Sequence, residues 1–248
     1  MTIRILAVAL LLTAVPAAAQ TLPANIVSAA ADPARADQAK DDARRHGPEI
    51  LAYAGVPAGG TVIEIAPGGG YWTRLFAKAV GPKGHVFVVW PKPLADEEQK
   101  DVAAFQTLIQ QPAWSNVSLA IAPPNSVPVA AKADLIFTSQ NYHDHLDKFM
   151  GPSDPAVFNK AMLDALKPGG VYLVIDHSGL PGSGTEATEK LHRVDPALVK
   201  SQVTAAGFEY VGESKLLANP DDPKTALVFA PQIRGKTDQF IYKFRKPK

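Results

Sequence analysis

Ser139-Gln140-Asn141-Tyr142-His143-Asp144-His145, Asp176-His177-Ser178 and His192-Arg193-Val194-Asp195 gather four of the six histidines of this 248-residue chain. Imidazole exchanges a proton near neutrality, so such residues suit a general base. His143 or His177 is the candidate base, with Asp144 or Asp176 orienting it. Asn141 and Tyr142 would position a substrate by hydrogen bonds. The same side chains also offer metal ligands. His143, His145, Asp176, His177 and His192 supply nitrogen and oxygen donors of the kind zinc, iron or manganese takes. The spacing leaves both uses open. His85 precedes an apolar run and reads as structural.

A second constellation is Val62-Ile63-Glu64-Ile65-Ala66-Pro67-Gly68-Gly69-Gly70-Tyr71-Trp72-Thr73. An apolar run stops at glycines and a helical pattern follows at once. Glycine admits positive φ and lets a ligand approach where a Cβ would block it. The helix start presents unpaired N–H groups to polar ligand atoms. A nucleoside-type cofactor is the expected occupant.

These residues need elements to hold them. Apolar strands are expected at 61–66, 85–90, 117–122, 133–139, 171–175, 208–216 and 239–245. Helical patterns fall at 49–54, 73–80, 95–111, 154–166 and 196–206. A further helix is expected from Asp32-Pro33 through Arg45, with an Ala-rich, poorly ordered stretch before it. Strands that alternate with helices and are apolar on both faces predict a doubly wound α/β fold around a mostly parallel sheet. The last two strands lack an intervening helix, which predicts an antiparallel C-terminal hairpin at a sheet edge.

With a formal net charge of +1, nothing in the electrostatics favours nucleic acid or an anionic membrane surface. The absence of cysteine excludes disulfides, thiolate metal sites and cysteine nucleophiles. Arg4, the apolar run Ile5 to Val15, and Pro16-Ala17-Ala18-Ala19 match a secretory signal peptide cleaved near Gln20, so a periplasmic or secreted protein is expected. The run is short for a permanent membrane span. The expected organisation is a signal peptide over 1–20, an N-terminal extension over 21–44 and one domain over 45–248. Gly235-Lys236-Thr237 lacks the strand–glycine–helix setting of a phosphate loop, and Ser178 to Gly184 lacks the G-x-S-x-G pattern. An NAD fingerprint fails because Thr73 stands at its third glycine and the ribose acid is missing.

Glu64-x-Ala66-x-Gly68-x-Gly70, Lys167-Pro168-Gly169-Gly170 and Ala205-Ala206-Gly207-Phe208, in that order and spacing, resemble the class I S-adenosylmethionine-dependent methyltransferases. Gln140-Asn141-Tyr142-His143-Asp144, Leu191-His192-Arg193 and the stretch Arg234 to Phe240 resemble a poorly characterised, secreted bacterial branch of that family. The resemblance implies a seven-stranded Rossmann-like fold, S-adenosylmethionine as cofactor and a small-molecule acceptor. It makes Glu64, Ala66, Gly68, Gly69, Gly70 and Tyr71 the cofactor turn, with Glu64 ordering the glycines. The family's ribose-binding acid is absent, since the second strand ends Val89-Trp90-Pro91. Trp90 is instead the candidate to stack on adenine, and Asn125 the candidate acceptor for the adenine amine. The alternative is a methyltransferase-fold protein without methyl transfer, whose His/Asp loops hold a divalent metal or a small ligand.

Overall fold

The computed structural model describes residues 21–151 and 153–248, so the expected signal peptide lies outside the described residues. Helix α1 (Ala24–Ala30) occupies the Ala-rich stretch expected to be poorly ordered. It is held because Ile26 and Ala29 are buried and Asn25 donates to the carbonyls of Val56 and Ala79, both at 3.1 Å. The single helix expected through Arg45 is broken into two 3-10 turns, Pro33–Arg35 and Ala39–Asp41, and a short α2 (Asp42–Arg45). Arg35 causes the break. Its fully buried guanidinium is pinned to Asp42 at 2.8 Å and to the Ala30 carbonyl at 3.1 Å, which folds the segment back on itself. Helix α3 (Gly47–Ala54) follows and ends at Gly55.

The sheet then forms strand by strand: β1 (Thr61–Ile65), β2 (His85–Pro91), β3 (Val117–Ala122), β4 (Ala133–Ser139), β5 (Leu166–His177), β6 (Glu209–Ser214) and β7 (Gln239–Arg245). Helix α4 (Tyr71–Val80) joins β1 to β2. Helices α5 (Lys92–Glu97) and α6 (Gln99–Ile109) lie between β2 and β3 and replace the one expected helix, which breaks at Glu98. Helix α7 (Pro155–Ala165) precedes β5, and α8 (Thr188–Leu191) and α9 (Pro196–Ala205) precede β6.

The sheet order is β3-β2-β1-β4-β5-β7-β6. The first five strands are parallel. β7 inserts antiparallel between β5 and β6, which bears out the expected fold class and its closing hairpin. Val62, Ile63, Ile136, Phe137, Leu173, Val174 and Ile175 are buried along the central strands. Each such side chain contributes about 1.5–3 kcal/mol of burial. Phe76 of α4 packs on Phe137 of β4 with ring centroids 4.9 Å apart, which fixes α4 over the sheet.

Two features of this topology position a site. The order reverses between β1 and β4, so the loops leaving their carboxyl ends diverge and open a crevice. The β5–β7 pairing sets Gln239 opposite His177 and brings the segment before β7 beside that crevice. Among the described residues no helix is long and apolar enough to cross a membrane.

Candidate active site

The crevice is a cavity of about 780 Å³ that extends from Gly68 and Gly69 to His143, Asp144 and His192. Its glycine end is built by an unusual backbone. Ala66, Gly68 and Gly70 have φ of 51°, 52° and 75°. Gly70 caps the start of α4, and a Cβ there would press on the Phe105 ring at 3.3 Å. At Gly69 a Cβ would meet nothing, so its bare face opens on the cavity. Of the five non-glycine residues with positive φ among the described residues, Ala66, Gln140 and His192 line this cavity. Backbone strain is therefore concentrated around it, as it is at many ligand sites.

Glu64 ties the turn together from beneath. It is buried, and Thr73 Oγ1 donates to its carboxyl at 2.5 Å. Burial outweighs that hydrogen bond and pushes the carboxyl up to about 8, so it is protonated at neutral pH. Tyr71 donates to Asp42 at 2.6 Å and lies under the Arg45 guanidinium at 4.7 Å, which clamps α2 over the turn.

Two expected cofactor contacts take other places. Trp90 is fully buried, sits edge-on to Phe105 at 5.9 Å and does not line the cavity, so it has no face to offer adenine. Its indole N–H instead donates to Glu98 at 3.1 Å, and the Glu98 carboxylate edges the cavity beside Glu97. Asn125 is turned away as well. Its side-chain oxygen accepts from the amide of Asp154 at 3.1 Å, securing the loop before α7.

At the other end, β4 and β5 deliver the histidines and acids. Asp176 is fully buried at the end of β5. It accepts from the His143 amide at 2.8 Å, pairs with His143 Nδ1 at 2.9 Å and accepts from the His177 amide at 2.7 Å. The His143 ring is thereby fixed with Nε2 facing His192 Nδ1 at 3.2 Å and Asp144 at 3.3 Å. Burial alone would lower the His143 pKa, but the charges of Asp176 and Asp144 and the Asp176 hydrogen bond raise it to about 9. Burial raises the Asp144 carboxyl to about 7 against the pull of His143. Asp176 stays ionised, since His143 and His177 overcome its burial and hold it below the usual range. His177 lines the cavity, bonds Thr237 Oγ1 through Nδ1 at 2.7 Å, and is held neutral by burial, down at about 4.

Other expected site residues point elsewhere. Asn141 does line the cavity, while its side-chain oxygen accepts from the Ser139 amide at 3.3 Å. Tyr142 is fully buried between Asn159, which donates to it at 2.7 Å, and Gln202, to which it donates at 3.0 Å. It braces α7 against α9 and does not reach a substrate. His145 is stacked on Phe158 at 3.7 Å and lies outside the cavity. The expected ligand set of His143, His145, Asp176, His177 and His192 therefore does not converge. Among the described residues the group that does is His143, Asp144 and His192, with one donor atom from each within 4.8 Å of the others.

No family model and no curated protein sequence matches the chain. Solved structures do. A S-adenosylmethionine-dependent methyltransferase from Aquifex aeolicus superposes with a TM-score of 0.61 at 18% identity, over 87% of this chain and 94% of that one. The chain has the class I methyltransferase fold. The glycopeptide N-methyltransferase MtfA (TM-score 0.57, 16% identity, 83% and 91% covered) and a sarcosine dimethylglycine methyltransferase of Galdieria sulphuraria, itself described as putative (0.59, 14%, 87% and 91%), are similar to the same extent.

Within this methyltransferase fold, several cavity residues escape a reading of the sequence alone: Glu97, Glu98, Asp147 and Arg45. Glu97 and Glu98 belong to the acidic run Asp96-Glu97-Glu98 five to seven residues beyond the end of β2, and the break between α5 and α6 turns it inward. Arg45 lies in the N-terminal segment, far from either motif.

Proposed function

We propose that this chain transfers a methyl group from S-adenosylmethionine to an oxygen or nitrogen of a small molecule. One observation carries the reading: a single cavity joins the open glycine turn at Gly68 and Gly69 to the His143 and Asp144 side chains. The residues present fit the cofactor. Gly68 and Gly69 leave free the space a Cβ would take, and Glu97 and Glu98 border the same cavity with carboxylates suited to ribose hydroxyls and to a cationic ligand. Gly68, Gly69, Tyr71, Glu97 and Glu98 would hold it, with Glu64 ordering the turn. When bound, S-adenosylmethionine supplies an electrophilic methyl group.

The chain's own work is to bind, orient and take a proton. At neutral pH His143 is an imidazolium held by Asp176, so it is not the free base that the residue types alone suggest. Asp144, raised to about 7, is the proton acceptor facing the cavity. His143 positions and balances that carboxylate at 3.3 Å. Phe149 and Phe229 supply apolar contacts for the body of a small acceptor. Export through the N-terminal leader is part of the proposal and rests on Arg4, the apolar run and Ala17-Ala18-Ala19.

Incubation with methyl-labelled S-adenosylmethionine and a panel of small phenols and amines tests the reading. Label transfer to at least one acceptor, reduced about 100-fold or more in Asp144→Asn, is expected. Transfer that survives Asp144→Asn at full rate contradicts the assigned proton acceptor.

A further inference from the structure

We infer that His143, His192 and Asp144 form a binding site for a divalent transition-metal ion of the zinc class, open to the cavity on one side. His143 Nε2 stands 3.2 Å from His192 Nδ1 and 3.3 Å from Asp144. Donors held at zinc's bond length of about 2.0–2.1 Å in tetrahedral array are about 3.3–3.4 Å apart, so these edges already have the spacing of a coordination shell. Two nitrogens and one oxygen favour zinc, iron or manganese over magnesium or calcium. Three protein ligands with a free side facing a cavity match a site that keeps a position for an exogenous ligand.

Three further observations point to an occupant. Asp176 takes the Nδ1 side of His143 and accepts from the backbone amides of His143 and His177, the carboxylate–histidine support that aims the other ring nitrogen at a metal. Asp147 lines the same cavity beside this three-donor group rather than within it, is only 4% exposed, and has its Oδ1 buried with no hydrogen-bond partner. A buried, unpaired carboxylate oxygen is costly unless something cationic satisfies it. His192 is held in the left-handed region at φ 52°, a conformation an L-residue adopts at a cost, and this presents its Nδ1 to His143.

The inference goes beyond methyl transfer and does not rest on it. The two are linked at one point only. Nε2 of His143 and the Asp144 carboxylate serve one occupant at a time, so the proton-accepting form of the site is the metal-free form.

The test is titration of the chelator-stripped chain with zinc, and with cobalt as a spectroscopic probe, without S-adenosylmethionine. One ion per chain at micromolar affinity or tighter is expected, with the intense visible bands of low-coordinate cobalt. His192→Asn keeps a residue tolerant of positive φ while removing the imidazole, and should weaken binding about 100-fold or more with an unchanged circular dichroism spectrum. Asp144→Asn should weaken it independently, and His85→Ala, outside the site, should leave it intact. Absence of stoichiometric binding overturns the inference, as does binding undiminished in both His192→Asn and Asp144→Asn. Because no cofactor is present, this result is read separately from S-adenosylmethionine binding.

Discussion

Asp176 grips His143 twice, from the backbone amide at 2.8 Å and from ring Nδ1 at 2.9 Å, with neither side chain more than 3% exposed. This fixes both the β4 loop and the direction of the imidazole. Removing one partner of such a pair leaves an uncompensated buried charge. Asp176→Asn should therefore destabilise the chain by about 3–5 kcal/mol and remove label transfer as well. Urea denaturation checks the first effect, and a loss under about 1 kcal/mol would show that the pair is not what holds the loop.

Adjacent glycines should behave oppositely. Gly69→Val adds a side chain that meets only open cavity, so stability should change by less than about 0.5 kcal/mol while cofactor binding is lost. Gly70→Val places a β-branched residue at φ 75° against Phe105 and should cost about 2 kcal/mol or more. Thermal unfolding of both variants, beside ligand titration of Gly69→Val, separates a ligand cradle from a plain tight turn. Equal destabilisation by the two would favour the plain turn.

Glu64 gives the fold a pH dependence of known sign. Unfolded, its carboxyl ionises near 4.5, and folded, near 8. Between these values the folded chain keeps a proton that the unfolded chain has released, so this contribution to stability falls as pH rises from 4.5 to 8 and is flat above. Glu64→Gln should flatten that part of the stability–pH curve and gain on wild type toward pH 8. Parallel curves for the two proteins would show that Glu64 is ionised in the folded chain at neutral pH.

Trp90→Phe distinguishes two roles for the indole. A stacking platform would survive the change, because phenylalanine keeps an aromatic face. A donor to Glu98 would not, and cofactor affinity should fall about 10- to 100-fold, the value of one hydrogen bond to a charged group. Glu98→Gln should weaken binding in the same direction.

The sequence was most legible where burial sets the pattern. Strands β3, β4 and β7 run over the expected residues; in β4 an apolar run covered on both faces leaves little choice of boundary, while β3, at the sheet edge with Ile121 exposed, is bounded by Asn116 and Pro123. The glycine turn was equally clear, since its conformations exclude most other residues. The site's outer parts were not. His143 and His145 sit in one 3-10 turn, His143–Leu146, where successive side chains swing by about 120°, so His143 and Asp144 face the cavity while His145 turns to the core. Tyr142 is diverted inward by Asn159 and Gln202, partners on distant helices that no local pattern reveals. Trp90 closes an apolar strand equally well as a stacking face or as a buried donor. Glu98, eight residues on and at a helix break, decides between them.

The central claim is that the cavity beside Gly68 and Gly69 binds S-adenosylmethionine. Isothermal titration of the purified chain with S-adenosylmethionine, repeated with Gly69→Val, tests it directly. Saturable one-to-one binding by the wild-type chain that disappears in the still-folded Gly69→Val variant is the predicted result. No heat of binding at millimolar cofactor, or binding unchanged in Gly69→Val, would contradict it.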